Sequence, residues 1–154
     1  MWGFSSCMIA KTHQVFGITF GLITITFFHF LNVFPKNLLD YIIFFFLVIF
    51  GSILPDLDHP KSKLGSKIPL ISYPMYWIFG HRKATHSLLF VGLIGILGFG
   101  VTLLIKVSFF YAFGFTLGVL SHILGDYFFN SGVMLLYPKK EKYRLLITDV
   151  TGKV

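Results

Sequence analysis

The chain has 154 residues, of which 55% are hydrophobic and 12% are charged, and its formal net charge is +7. Soluble domains carry about 25% charged residues, so this composition excludes an ordinary soluble enzyme and indicates a membrane protein. With one cysteine, Cys7, the chain also cannot form an internal disulfide.

Four apolar runs approach the roughly 20 residues that cross a bilayer as a helix. In chain order they are Val15–Phe34, Leu38–Leu54, Ser87–Ile105 and Val107–Phe129. Because lipid offers no hydrogen-bond partners to the backbone, each run is expected to be helical. The sequence therefore predicts an all-α protein, a small polytopic membrane helix bundle with about four transmembrane helices, in which residues 1–154 form a single domain.

Basic residues predict the orientation of this bundle. With four spans, both termini and the connection Pro55–His86 share one side, which holds 11 of the 13 lysines and arginines, whereas the other side holds Lys36 and Lys106. The positive-inside rule therefore predicts cytoplasmic termini. The positive charge is expected to face anionic headgroups of membrane lipids. Nucleic acid is not an expected partner, because no base-reading pattern accompanies the charge.

Histidines and aspartates concentrate at the ends of the runs on the predicted cytoplasmic side. A histidine precedes the first run, a mixed group follows the second, two histidines precede or open the third, and a His–Asp pair ends the fourth. They are His13, Asp56, Asp58, His59, His81, His86, His122 and Asp126. Because these run ends share one side of the membrane, we expect their side chains to converge in one layer, which would form a metal site at the cytoplasmic helix ends.

The spacing of His122 and Asp126 is the most informative feature of this set. Residues four apart lie on one helix face, close enough to share a metal ion. Both residues lie near the end of the fourth run, inside the cytoplasmic edge of the hydrocarbon, where an unpaired imidazole or carboxylate is costly. Mixed imidazole and carboxylate ligands suit Zn²⁺, with Mn²⁺ or Fe²⁺ as alternatives. Taken singly, each residue is also consistent with a packing role, and Asp56 and Asp58 with a helix-terminating turn.

Two G-x-x-x-G patterns extend the same helix faces. Gly17 and Gly21 follow His13 on the first run, and Gly114 and Gly118 precede the His–Asp pair of the last run. Small residues at this spacing let membrane helices approach closely. We therefore expect the first and last spans to pack through these glycines, which would bring His13 beside that pair.

Four groups of residues form a recognisable pattern along the chain, Gly51–Ser62, Gly80–Arg82 with Thr85–Ser87, Ser121–Asp126, and Gly132-Val133 with Leu135–Pro138. In this order they resemble the YdjM-like inner-membrane metal-dependent hydrolases. The resemblance implies a prokaryotic inner-membrane (plasma-membrane) protein of a few helices with metallohydrolase chemistry. That family is distantly similar to the superfamily of zinc-dependent phospholipases C and single-strand nucleases, in which histidines and aspartates surround clustered zinc ions.

The ligand order of that superfamily implies roles for the histidines and aspartates of this chain. His13 would match the early histidine, Asp56 or Asp58 the aspartate, His86 the later histidine, and His122 with Asp126 the helical pair. His59 and His81 would be extra ligands or proton-transfer groups. The soluble relatives carry further histidines after the helical pair, whereas the segment Tyr127–Ser131 has none. This departure favours one or two ions over three.

These roles predict metal-assisted hydrolysis of a phosphoester, at a lipid headgroup or another amphipathic substrate. The metal would lower the pKa of a bound water, and Asp56 or Asp58 would accept its proton if it is not a ligand. Arg82, with Lys83 or Lys61, would hold phosphate oxygens. These basic residues are equally consistent with setting the membrane topology.

The competing class is a non-enzymatic membrane protein that binds a metal or transports metal ions or protons. Transport requires polar groups through the whole membrane thickness, and Leu88–Ile105 offers only Thr102. Polar residues along the first run keep this alternative open. They are Thr19, Thr24, Thr26, His29 and Asn32.

Overall fold

The computed structural model describes residues 10–34, 37–62, 64–80, 83–129, 133–139 and 141–143. Within these residues the chain forms five α-helices, which are α1 (Ala10–Phe30), α2 (Leu38–Gly51), α3 (Pro69–Phe79), α4 (Leu88–Ile105) and α5 (Phe109–Phe129). Three short 3₁₀ turns, Pro55–Asp58, Gly65–Lys67 and Ala84–His86, lie in the connection between α2 and α4. Helices α1, α2, α4 and α5 are long and apolar enough to cross a membrane, which confirms the predicted four-span bundle.

Local capping chemistry explains where the spans begin and end. The Asn37 side chain accepts a hydrogen bond from the Leu39 amide and caps α2, and the Ser87 hydroxyl caps α4 in the same way. Asn and Ser are favoured at this position because they satisfy amides that have no partner within the helix. Lys106 ends α4 in the left-handed conformation, with φ of 55°, and so separates the last two spans.

The connection between the second and third spans contains a helix that the sequence reasoning missed. Helix α3 has 11 residues, starts at Pro69 and contacts the first two 3₁₀ turns. It is too short to span a bilayer, which needs roughly 20 residues. The third and fourth spans are therefore separated from the first two by a folded segment on the side of the predicted site.

Helix α5 is the centre of the bundle. It contacts α1, α2 and α4, and its span is the most buried of the four. An aromatic cluster closes the end of the bundle that lies away from the predicted site, with Phe34, Phe44 and Phe110 packed on Val48. A second cluster, with Val119 and Ile123, lies near the other end of α5. Both hold α5 in position between its neighbours.

Most of the glycine-mediated contacts form between different helices from those predicted. Contact between α1 and α5 is confirmed. However, a Cβ atom added at Gly118 would lie 2.9 Å from the Ser52 amide nitrogen and 3.0 Å from the Gly51 Cα atom, so this glycine faces α2. Gly21 meets α2 side chains, whereas Gly17 meets Ser52, which follows α2, and also the Ser121 hydroxyl on α5 at 3.4 Å. The predicted packing of α1 on α5 through glycines is therefore present at Gly17, but it is wrong for Gly21, Gly114 and Gly118, which admit α2.

Candidate metal centre

Six of the predicted site residues come together at one end of the bundle. They are His13 on α1, Asp56 and Asp58 in the first 3₁₀ turn, His86 in the last one, and His122 and Asp126 on α5. All six are buried. The convergence predicted from the membrane topology is therefore present in the structure.

The His122 ring is fixed by the end of α2. Its Nδ1 atom lies 2.6 Å from the Ser52 carbonyl oxygen, which can only accept a hydrogen bond. The last carbonyls of a helix have no partner within the helix, so this oxygen is available. Nδ1 therefore carries the proton, and the lone pair of Nε2 is directed to the other site residues.

Three ligand atoms form a compact triangle, which we call the central triad. The His86 Nε2 atom lies 3.2 Å from His122 Nε2 and 3.3 Å from Asp126 Oδ2, and the last two atoms are 3.7 Å apart. A tetrahedral zinc ion with bonds of about 2.0–2.1 Å separates its ligand atoms by about 3.3–3.4 Å. The donor types and their spacing in the central triad therefore fit a zinc ion.

A second group of potential ligands adjoins the central triad and shares His122 with it. It consists of His13, Asp56 and His122, whose ligand atoms all lie within 4.8 Å of one another. The His13 ring stacks on the His122 ring at a centroid distance of 3.7 Å, and its Nε2 atom lies 3.5 Å from Asp126 Oδ1. His122 has one nitrogen free for a metal, so it can serve one of the two groups at a time.

Asp58 lies behind His86 rather than in either group. Its Oδ2 atom is 3.4 Å from His86 Nδ1, and it also accepts a hydrogen bond from the Thr85 hydroxyl. Metal-binding histidines commonly contact a carboxylate through the nitrogen that is not bound to the metal, which orients the ring. The arrangement of Asp58 and Thr85 suits this orienting function for His86.

The carboxylates also control the charge of His86. Burial lowers the pKa of His86, but hydrogen bonds to Asp126 and Asp58 and the charges of these carboxylates outweigh burial and raise the pKa to about 9. In the metal-free protein at neutral pH, both ring nitrogens of His86 therefore carry a proton and the imidazole is positively charged. A metal ion that binds through Nε2 must displace that proton, as is usual for histidine ligands.

Asp56 is the site carboxylate with the clearest access from outside. Its side chain is 12% exposed, and its Oδ1 atom lies 3.7 Å from His122 Nε2. The turn that carries Asp56 is held by the Ser62 hydroxyl, which donates to the Asp56 carbonyl and accepts from the Gly65 amide. Asp56 is thus fixed at the edge of the site.

The remaining predicted residues are not brought into the two groups. His59 ends the first 3₁₀ turn and is half-buried, and it belongs to neither group. His81 and Arg82 lie outside the described residues, and Lys61 and Lys83 are exposed. Sequence reasoning missed the roles of Ser52 and Thr85, for which the only signal was their position beside a helix end and a histidine.

Comparisons with known proteins agree with the membrane architecture. The chain matches the YdjM inner membrane protein family over residues 8–153. Inner membrane protein YdjM of Escherichia coli (strain K12) is 41% identical over 105 residues, which cover 64% of this chain and 51% of the relative. Uncharacterized protein YvsG of Bacillus subtilis (strain 168) is 34% identical over 102 residues, which cover 66% of this chain and 61% of the relative.

The matches cover about half of the length of the curated YdjM relatives. No solved structure matches the chain. The family match extends over all four spans and every residue of the two ligand groups. The chain therefore belongs to the YdjM inner membrane protein family.

Proposed function

We propose that this protein is a membrane-bound, metal-dependent hydrolase that cleaves a phosphoester bond in a lipid or another amphipathic substrate. The observation that carries the proposal is the central triad of His86, His122 and Asp126, buried at helix ends and spaced as zinc ligands are. Three protein ligands with a further position open is the usual composition of a catalytic zinc site.

The central triad would hold the ion, with Zn²⁺ as the first expectation and Mn²⁺ or Fe²⁺ as alternatives. When bound, such an ion lowers the pKa of a water and polarises a phosphoryl oxygen. Asp58 orients His86, and the Ser52 carbonyl orients His122. Both imidazoles are therefore held in position before a ligand arrives, which reduces the free-energy cost of assembling the site.

Asp56 is the proposed general base. It lies at the accessible edge of the site and 3.7 Å from His122 Nε2, so a water beside the central triad is within its reach. The carboxylate would accept the proton of this water as the water oxygen bonds to phosphorus. The P–O bond to the leaving alcohol would break, and the same proton would pass to the departing alkoxide. Arg82 and the exposed Lys83 are proposed to hold the phosphate oxygens, Arg82 through a bidentate pair of hydrogen bonds.

The name of the YdjM relatives describes a membrane location, and neither it nor the name of YvsG describes a reaction. The hydrolase proposal therefore depends on the donor set and on the similarity of the His and Asp order to the zinc-dependent phospholipases C and single-strand nucleases. The proposal also depends on the predicted depth of the site in the membrane, since a site at the membrane boundary suits an amphipathic substrate better than a freely soluble one.

Orientation is part of the proposal. We place the site on the cytoplasmic face of a prokaryotic inner membrane because 11 of the 13 lysines and arginines belong to that side. The test is a Lys63→Cys variant in a Cys7→Ser background, treated in intact cells with a membrane-impermeant thiol reagent. We expect labelling only after the membrane is permeabilised. Efficient labelling of intact cells would reverse the orientation.

The alternative of a transporter receives less support from the spans. The hydroxyls of Thr19 and Thr26 donate to carbonyls of their own helix, at Val15 and Leu22, and that of Thr102 donates to Phe99. Hydroxyls that are satisfied in this way do not mark a polar path. A metal-binding protein without catalysis remains the second candidate, which the next experiment separates from the hydrolase.

The decisive experiment combines metal analysis of the purified protein with hydrolysis assays on a phosphodiester and on phospholipids in mixed micelles. Asp126→Asn keeps the shape of the side chain but removes the charge that offsets a divalent cation, so we expect loss of metal and of hydrolysis. The matched control is Asp40→Asn, which changes an aspartate at the opposite end of α2 and should keep both.

His122→Gln and His29→Gln form a second matched pair, because His29 lies at the far end of α1. Retention of wild-type metal content by both Asp126→Asn and His122→Gln would show that the cluster is a structural contact. A wild-type protein that holds metal but hydrolyses neither class of phosphoester would leave only the metal-binding function.

A further inference from the structure

In helix α3 a polar side chain is buried and large apolar side chains face outward, which is the reverse of the arrangement in soluble proteins. Of its side chains that the structure describes, only Ser72 is buried, whereas Leu70 is 88% exposed, Trp77 84% and Ile78 73%. Leu104 on the α4 span, which faces outward in the same way, is 83% exposed. The outer surface of α3 is therefore as apolar as that of a transmembrane helix, which indicates an apolar environment around α3.

The position of α3 identifies the depth at which this environment lies. Helix α3 contacts the turn Pro55–Asp58, which ends the second candidate span and carries two site aspartates. With 11 residues α3 is about 17 Å long, against a hydrocarbon thickness of about 30 Å. Both ends of α3 connect to the same end of the bundle, so α3 does not cross the bilayer and stays at the end that carries the site.

The residue types also match a membrane boundary. Tyr73, Tyr76 and Trp77 are exposed, and tyrosine and tryptophan are enriched where the hydrocarbon meets the headgroups. The sequence contains no aspartate or glutamate between Asp58 and Asp126, while five lysines and arginines flank α3. They are Lys61, Lys63, Lys67, Arg82 and Lys83. This charge complements an anionic lipid surface.

We infer that α3 is an interfacial helix that inserts its apolar surface, centred on Leu70 and Trp77, into the lipid leaflet at the site-bearing end of the bundle, with the flanking lysines among anionic headgroups. Lipids of the bilayer would cover this apolar surface. The inference does not depend on hydrolysis or on a bound metal, since it follows from the exposure, length and charge of α3.

The experiment measures the depth of Trp77 in the full-length protein, reconstituted in vesicles of phosphatidylcholine and phosphatidylglycerol. Trp2→Phe leaves Trp77 as the single tryptophan. Lipids brominated near the glycerol backbone, lipids brominated near the end of the acyl chain, and aqueous acrylamide are compared as quenchers. The matched control carries Trp2→Phe, Trp77→Phe and Ile96→Trp, which places the tryptophan on the exposed middle of α4.

We expect Trp77 to be quenched most by the shallow bromines, whereas the tryptophan at position 96 should be quenched most by the deep ones. Quenching of Trp77 by acrylamide alone would overturn the inference and place α3 in water. Insensitivity to all three quenchers would also overturn it, because α3 would then be covered by protein, such as a second copy of this chain.

An independent measurement covers the case in which the tryptophan substitutions prevent folding. Leu70→Cys in a Cys7→Ser background carries a nitroxide spin label, whose collisions with oxygen and with a water-soluble nickel complex report depth. We expect access to oxygen to exceed access to nickel at this position. The opposite order would exclude insertion of α3 into the leaflet.

Discussion

The contact between α2 and α5 makes Gly118→Ala a sensitive test of how the site is held. The new Cβ atom would overlap the Val48 carbonyl oxygen and lie 3.0 Å from the Gly51 Cα atom and 2.9 Å from the Ser52 amide nitrogen. Carbon atoms in ordinary contact are about 3.5–4.0 Å apart, so the Gly51 contact alone requires the helices to separate by about 0.5–1 Å. Backbone atoms have no rotamer that avoids the clash.

This separation would reach the site directly, because His122 lies one helical turn after Gly118. Its Nδ1 atom is now 2.6 Å from the Ser52 carbonyl oxygen, and the same displacement would stretch that hydrogen bond to about 3.1–3.6 Å, at or beyond its limit. Overpacking typically costs about 1–3 kcal/mol of stability. Loss of the group that orients a histidine ligand lowers metal affinity by about 10–100-fold.

The assay pairs chelator-competition titration of metal affinity with thermal unfolding in detergent. Gly100→Ala is the matched control, since a Cβ atom there meets nothing within 4 Å. It should keep wild-type metal affinity and gain up to about 1 kcal/mol, because alanine is the better helix former. If Gly118→Ala binds metal and unfolds as Gly100→Ala does, the close approach of α2 and α5 does not position His122.

Three further outcomes are expected. Asp58→Asn should weaken metal binding by about 10–100-fold without abolishing it, because Asp58 orients His86; in chelator titrations, a loss as complete as that of Asp126→Asn would make Asp58 a ligand. Tyr111→Phe should lower the free energy of unfolding in detergent by about 1.5–3 kcal/mol, because it removes a hydrogen bond to the Asp40 carboxylate, while metal content stays unchanged. A metal chelator should lower the melting temperature of the wild type but not that of Asp126→Asn, because a ligand stabilises only the protein that binds it; equal shifts would contradict binding at the site.

The sequence predicted the spans because a backbone in lipid must satisfy its own hydrogen bonds, and hydropathy alone reveals where that happens. The convergence of His13, His86 and the His122–Asp126 pair followed from counting spans, since an even number of crossings returns the chain to one side. Neither prediction required knowledge of which helices touch. The membrane thus replaced much of the tertiary information that a soluble fold would have required.

What the sequence did not predict depends on tertiary neighbours. G-x-x-x-G marks a helix face that admits close approach, but it does not name the partner, and Gly118 meets α2 rather than α1. The Ser52 carbonyl and the Thr85 hydroxyl acquire roles only when distant segments meet. Helix α3 was missed because a largely apolar segment of 11 residues that includes Pro74 matches neither a span nor an ordinary connection.

The order of the ligands along the chain has a consequence for biosynthesis. The central triad takes one member from the turn before α4 and two from the last span, α5. A nascent chain that has inserted three spans therefore lacks His122 and Asp126 and offers no complete triad. The proposed metal ion would therefore be acquired only after release of α5 into the bilayer, and a chain stalled or truncated before that step could not bind it prematurely at this site.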